Sequence, residues 1–260
     1  PAGLHMISLF TQALGLLPLS FKRKGENAMP NEILLLINII LVYGAVLLGY
    51  KFWGIKGLIC FMVFATITAN IEVLILINAY GMEQTLGNIV FAATFLITDI
   101  ISEVAGKKRA QEAVNIGIAT TVFFLLISQL WLQYTPSPHD WAFPHIETIF
   151  TNSGRTMVVS LLVYALVQKL DVWLYHKWWS FTTKRCGDSS RFLWLRNNGS
   201  TLISQFVNTV LFNFGAFWQL YDLGTLLSIT FVGYLVFVIA ALLDTPVIYI
   251  ARKITPRCKD

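Results

Sequence analysis

Polar side chains recur at helical spacing inside stretches that are otherwise apolar, where each is costly unless it is paired or used. Asn70 and Glu72 lie in one such stretch, and Asn78 is expected two turns beyond Asn70 on the same helical face. Asp99 and Glu103 are four residues apart, which puts both carboxylates on one stripe of a helix. Tyr164, Gln168, Asp171 and Tyr175 form a third set, and Thr201, Gln205, Asn208, Thr209 and Phe212 a fourth. Asp244 precedes Thr245 and Pro246, where the missing N–H is expected to disrupt the helical ladder. A carboxylate at mid-depth in a membrane must be protonated, paired or set in a wet cavity. Glu72, expected near the midplane, and Asp99 and Asn208 are therefore expected to line a path for a polar solute. For Asn78, Gln168 and Thr201 a hydrogen bond between neighbouring helices, worth roughly 0.5–2 kcal/mol, serves equally well. Glu103 and Asp171 are expected near span ends, where an interfacial role competes with a functional one.

Soluble-type catalysis finds no support in the motifs. The chain has no HExxH, no GxSxG and no phosphate-binding GxxxxGK[ST], so neither an enzyme nor direct use of ATP is expected, and no cofactor. Asp99 and Glu103 could be read as an aspartyl dyad, but intramembrane proteases place their acids on different helices. Cys60, Cys186 and Cys258 are scattered and form no CxxC pair, so free thiols are expected. His5, His139, His145 and His176 are too dispersed for a metal site.

The elements that must position these residues are read from composition. Of 260 residues 56% are hydrophobic and 13% charged, against about a quarter charged in soluble domains. The apolar residues cluster into blocks of about 20, the length that crosses a hydrocarbon core as a helix. The expected fold is an all-α polytopic membrane bundle with about seven transmembrane helices, at 33–53, 57–79, 86–104, 111–133, 155–176, 200–220 and 225–251. The net charge of +5 sits between these blocks, as orientation signals do, and not in a nucleic-acid patch. Lys51, Lys56, Lys107-Lys108-Arg109, the connector 177–199 and the tail after Arg252 put most of the basic residues on one side. That side is expected to be the cytoplasm, with the C-terminus inside, residue 30 outside, and the chain in the cell's inner or plasma membrane. The connector 134–154, with Trp141, Phe143, Pro144 and His145, reads more readily as a solvated loop than as a lid.

Lys22-Arg23-Lys24 dissents from this pattern. His5-Met6 matches a common cloning site, so residues 1–5 read as a vector remnant and 6–28 as an N-terminal extension before a second start at Met29. An interfacial helix over 7–20 with a basic anchor is the alternative. Residues 29–260 are then a single transmembrane domain.

Ala69-Asn70-Ile71, Thr85-Leu86-Gly87-Asn88, Thr98-Asp99-Ile100-Ile101-Ser102-Glu103 with Gly106-Lys107-Lys108, and Thr135-Pro136-Ser137-Pro138 form an ordered series of motifs. Leu170-Asp171-Val172, Trp194-Leu195-Arg196-Asn197-Asn198 with Ser200-Thr201, and Leu243-Asp244-Thr245-Pro246 continue it. Together they resemble the queuosine-precursor transporter family (the YhhQ type), also described as vitamin uptake transporters. The resemblance covers residues 29–254 and implies import of a 7-deazaguanine: the cyano or aminomethyl precursor base, or queuine. A guanine-like edge offers two adjacent N–H donors to a carboxylate, its carbonyl takes an amide donor, and its face takes an aromatic ring. Glu72 or Asp99 is expected to clamp the N–H edge, with Asn70, Gln205 and Asn208 completing the site. Glu103, Asp171 and Asp244 are candidates for coupling or gating.

Two positions depart from the family pattern: Asn208 stands where Asp is usual, and Phe237 where Lys is usual. Loss of one partner would strand a charge, whereas joint loss is tolerable, so the two positions are expected to face each other. Thr85-Leu86 and Thr201-Leu202 open spans three and six alike. Spans 2–4 and 5–7 could then be inverted three-helix repeats, plus an extra N-terminal span, with substrate at their interface. A stand-alone secondary transporter is the leading reading. A substrate-binding membrane subunit served by a separate ATPase module is the alternative, and a homodimer is compatible with either.

Overall fold

Gly54 carries the first architectural decision. The structure, a computed structural model, describes residues 29–152, 154–188 and 191–258. The expectations for residues 1–28 lie outside them. Helix α1 (Asn31–Glu72, 42 residues) is broken at Gly54, whose φ of 60° and ψ of −141° are non-helical and need a residue without a Cβ. The chain reverses there. A continuous helix would hold Gly49 and Gly57 about 12 Å apart, yet a Cβ on Gly57 would overlap the Gly49 carbonyl. Two glycines facing each other let the arms 31–53 and 55–72 pack as an antiparallel hairpin.

The second arm stops at Glu72, well short of the expected 79. Strands β1 (Leu76–Ala79) and β2 (Met82–Thr85) follow as an antiparallel pair, in register Leu76↔Thr85 to Ala79↔Met82. Tyr80 and Gly81 both have positive φ (54° and 70°), as a tight two-residue hairpin turn demands. Asn31 and Glu32 bond to this β-hairpin, through Asn78 O at 2.7 Å and Tyr80 N at 2.7 Å. The start of the first arm and the β-hairpin thus share one end of the bundle.

Helices α2 (Asn88–Ala105), α3 (Lys107–Trp131), α5 (Gly154–Cys186), α6 (Leu193–Phe217) and α7 (Leu223–Lys253) complete the bundle; the short α4 (Phe143–Asn152) lies between α3 and α5. Counting the two arms of α1, seven membrane-length helical segments are present among the described residues. α1, α2, α3, α5 and α7 are long and apolar enough to cross a membrane. Exposed Leu41, Phe64, Phe123, Leu162 and Phe231 face outward, as lipid-exposed surfaces do. α2 and α6 are the interior helices, burying residues on most of their faces. α6 is also rich in amides and hydroxyls. α7 runs unbroken through Pro246. The connector 134–154 contains α4, whose Phe150 packs on Phe124 and Trp131 while Trp141 stays 81% exposed. The connector expected as a solvated loop thus carries a packed helix, and among its described side chains none lines the central cavity.

Candidate substrate cavity and polar axis

Between α1, α2, α5, α6, α7 and the β-hairpin lies a cavity of about 580 Å³, within the range of sites for small organic ligands. It opens at the hairpin end, where exposed Leu76, Gly81 and Tyr221 form part of its wall. Amide, hydroxyl and aromatic side chains are prominent in its wall. Asn70 comes from the second arm of α1, Gln84 from β2, Asn208, Thr209 and Asn213 from α6, and Phe91, Tyr164 and Phe237 from α2, α5 and α7. Phe91 stands edge-on to both Tyr164 and Phe237, each with centroids 6.0 Å apart. Asn70 donates to Thr66 O at 2.8 Å, and its buried Oδ1 has no partner. Asn208 donates to Gln205 Oε1 at 3.2 Å, and Gln205 Nε2 is left without an acceptor.

Further from the mouth the cavity gives way to carboxyl groups. Gln168 donates to Thr94 of the cavity wall at 2.6 Å, and its Oε1 accepts from Thr98 at 3.4 Å. Next along α2 is Asp99, which accepts from Thr201 at 3.2 Å. Asp171 accepts from Ser204 at 2.7 Å. Asp244 stands beside Thr245, whose Oγ1 accepts from Asn198 at 2.7 Å and from Asn197 at 3.3 Å. Asp99, Asp171 and Asp244 are at most 1% exposed and lie close enough to act on one another.

One helical turn beyond Asp99, a buried ion pair closes the bundle. Arg196 Nη2 lies 2.7 Å from both Glu103 oxygens and Nε 3.0 Å from Oε2. Tyr175 donates to the same carboxylate at 2.9 Å, and Arg252 Nε approaches its Oε1 at 3.7 Å. Arg196 stacks over Trp179 at 4.3 Å. The side chains of Arg196 and Glu103 are 0% and 4% exposed. This cluster ties α2, α5, α6 and α7 together at the end that carries Lys107 and Arg252.

The profile of a family described as "Putative vitamin uptake transporter" matches residues 85–251. A "Probable queuosine precursor transporter" from Bacillus subtilis (strain 168) is 35% identical over 211 residues, covering 81% of this chain and 90% of the relative. The chain belongs to this transporter family. No solved structure matches it. The matched region takes in α2, the carboxyl groups and the Glu103–Arg196 pair, so the polar axis of the bundle lies within the family's shared part.

The structure brings some of the expected site residues together and separates others. Asn70 and Asn208 share the cavity wall, and Phe237 joins them, so Asn208 and Phe237, expected to face each other, border one space. Glu72 is not at mid-depth: it is the last residue of its helical arm, about 27 Å along from Gly54, and lies outside the cavity wall. Asn78 is not on the face of Asn70, because it belongs to β1 opposite Glu83. Asp99 and Gln205 lie behind the wall, Asp99 beside Asp171. Glu103 is near the end of α2, as expected, with its side chain held in a buried ion pair, whereas Asp171 is fully buried well inside the 33-residue α5. The carboxylate that does line the cavity among the described residues is Glu83, at the exposed rim. Arg196 was hidden in the sequence among the basic residues of the connector 177–199. Its setting in Trp194-Leu195-Arg196-Asn197-Asn198, followed by an apolar stretch, was the available signal.

Proposed function

We propose that this chain imports a queuosine precursor, a 7-deazaguanine base, as a stand-alone secondary transporter. The observation that carries the reading is a cavity within the membrane bundle, walled by amides and aromatic rings, open at one end and sealed at the other by a buried ion pair. This is the form of a carrier with one gate closed, and a flat heteroaromatic solute suits its wall. Phe91, Tyr164 and Phe237 offer ring faces and edges. Asn70 Oδ1 accepts an N–H of the solute, and Asn208 and Asn213 supply amide partners for its carbonyl and ring nitrogens. Asp99 and Gln205 act from behind the wall, not as direct clamps, and Glu83 at the rim is the carboxylate that meets an entering base. The name of the Bacillus subtilis relative supports the choice of substrate.

In this reading the hairpin end faces outward and the basic end, with Lys107, Lys108, Arg252 and Lys253, faces the cytoplasm, as the positive-inside rule favours. Outward binding followed by opening of the Glu103–Arg196 cluster delivers the base inside. The test is calorimetric binding of 7-cyano-7-deazaguanine, 7-aminomethyl-7-deazaguanine and queuine to the purified chain, with guanosine as a bulky control. At least one base should bind, and Asn70→Ala should weaken it. Binding of none by folded protein would refute the substrate.

A further inference from the structure

We propose that Asp99, Asp171 and Asp244 hold an exchangeable proton between them, and that this proton crosses the membrane together with the solute. The inference rests on the reading of the chain as an uptake carrier and adds the ion that drives it.

The three carboxyl groups come from α2, α5 and α7 and converge at the centre of the bundle. Thr201 donates to Asp99 and Ser204 to Asp171, and the Asp99 and Asp171 carboxyl groups lie within hydrogen-bonding reach of each other. Facing carboxylates in a medium of low polarity cannot all ionise, and the cheapest arrangement is one in which they share protons. A second observation comes from α1. The Tyr43 hydroxyl, 5% exposed, is directed at the Asp244 carboxyl group. A buried hydroxyl aimed at a carboxyl group is a donor when that group is ionised and an acceptor when it is protonated, so it serves both states of a site that gains and loses a proton.

The surroundings fit transfer and not permanent storage. Thr94, Gln168 and Thr98 form a hydrogen-bonded chain that starts at the cavity wall and ends one residue before Asp99 on α2, and the α6 stripe Asn208, Gln205 and Thr201 leads to the Asp99 carboxyl group itself. On the far side the titratable groups are Tyr175 and His176 from α5, Lys107 from α3 and the Glu103–Arg196 pair with Arg252. A proton entering by the cavity neutralises one carboxylate of the trio, and the same proton leaves toward the basic end once the ion pair separates. One positive charge then moves per uncharged base carried.

Two measurements test this on the full chain in lipid. The first needs no substrate. Infrared spectra at neutral pH should show the carbonyl stretch of a buried protonated carboxylic acid, reduced or lost in Asp171→Asn and Asp99→Asn and retained in Asp171→Glu. A spectrum without that band overturns the proposal even if transport is confirmed. The second uses liposomes loaded with a pH-sensitive dye and supplied with 7-cyano-7-deazaguanine. An acid-outside gradient should raise accumulation several-fold and the base should acidify the lumen, while Asp171→Asn should still bind base but only equilibrate it. Accumulation driven by a sodium gradient without dye response, or full accumulation by Asp171→Asn, would overturn the coupling. Failure of the purified chain to bind any base would refute the substrate reading and leave the infrared result to decide whether the proton site exists.

Discussion

Removing Glu103 should swing the basic end of the bundle open. Its carboxylate meets Arg196 through three contacts of 2.7–3.0 Å, takes a fourth bond from Tyr175, and is 4% exposed while Arg196 is wholly buried. Taking away one partner of such a pair strands the other charge in the interior, at a cost of about 3–5 kcal/mol. If the pair exists only while that end is closed, the whole cost falls on the closed state, because an opened Arg196 is hydrated. At 1.4 kcal/mol per tenfold the balance moves toward the open form by a factor of roughly one hundred to a few thousand. The assay is labelling of Ser200→Cys, fully buried one turn from Arg196, in a background where exposed Cys60, Cys186 and Cys258 are replaced by Ser. Membrane-impermeant maleimide applied from the basic side should react far faster in Glu103→Gln and in Arg196→Leu. The double variant, with no stranded charge, should label more slowly than either single one. Equal labelling in all four proteins would refute the reasoning, as would a double variant as open as the singles.

Three further outcomes follow from the cavity and the hairpin. Asn70→Ala, which removes an unpartnered buried acceptor, should weaken binding of the transported base by about twofold to tenfold, from a hydrogen bond worth about 0.5–1.5 kcal/mol, measured by calorimetry. Asn208→Asp together with Phe237→Lys should fold better than either change alone, measured by thermal unfolding in detergent, since both positions face one cavity; equal stability of the three would dismiss their pairing. Gly57→Ala should cut the yield of folded protein sharply, because its Cβ overlaps the Gly49 carbonyl, whereas Gly44→Ala, which meets nothing within 4 Å, should not; size-exclusion profiles decide between them.

Span positions were legible where one apolar block corresponds to one helix. The expected 86–104 and 225–251 match α2 (Asn88–Ala105) and α7 (Leu223–Lys253) closely. The expectation failed at 57–79 because hydropathy does not separate strand from helix. Leu76 and Ile77 extend the apolar run of the second arm, yet the turn at Tyr80-Gly81 folds them into a strand. That one break moved Asn78 off the helix and Glu72 away from mid-depth. Lys and Arg density hid the continuation of α5 to Cys186 and the early start of α6 at Leu193. The ion pair with Glu103 was therefore invisible, since its basic partner was read as part of a loop. Helical spacing did identify the stripes of Asp99, Asp171 and Gln205-Asn208. It could not show that Asp99 and Asp171 turn toward each other, because that depends on how α2 and α5 are rotated about their axes.

Counterflow into liposomes holding only the purified chain is the most direct trial of the account. With unlabelled 7-deazaguanine base inside and labelled base outside, and no ATP present, label should enter rapidly and be blocked by excess unlabelled base outside. Folded protein that binds the base yet moves label no faster than empty liposomes would contradict a self-sufficient carrier.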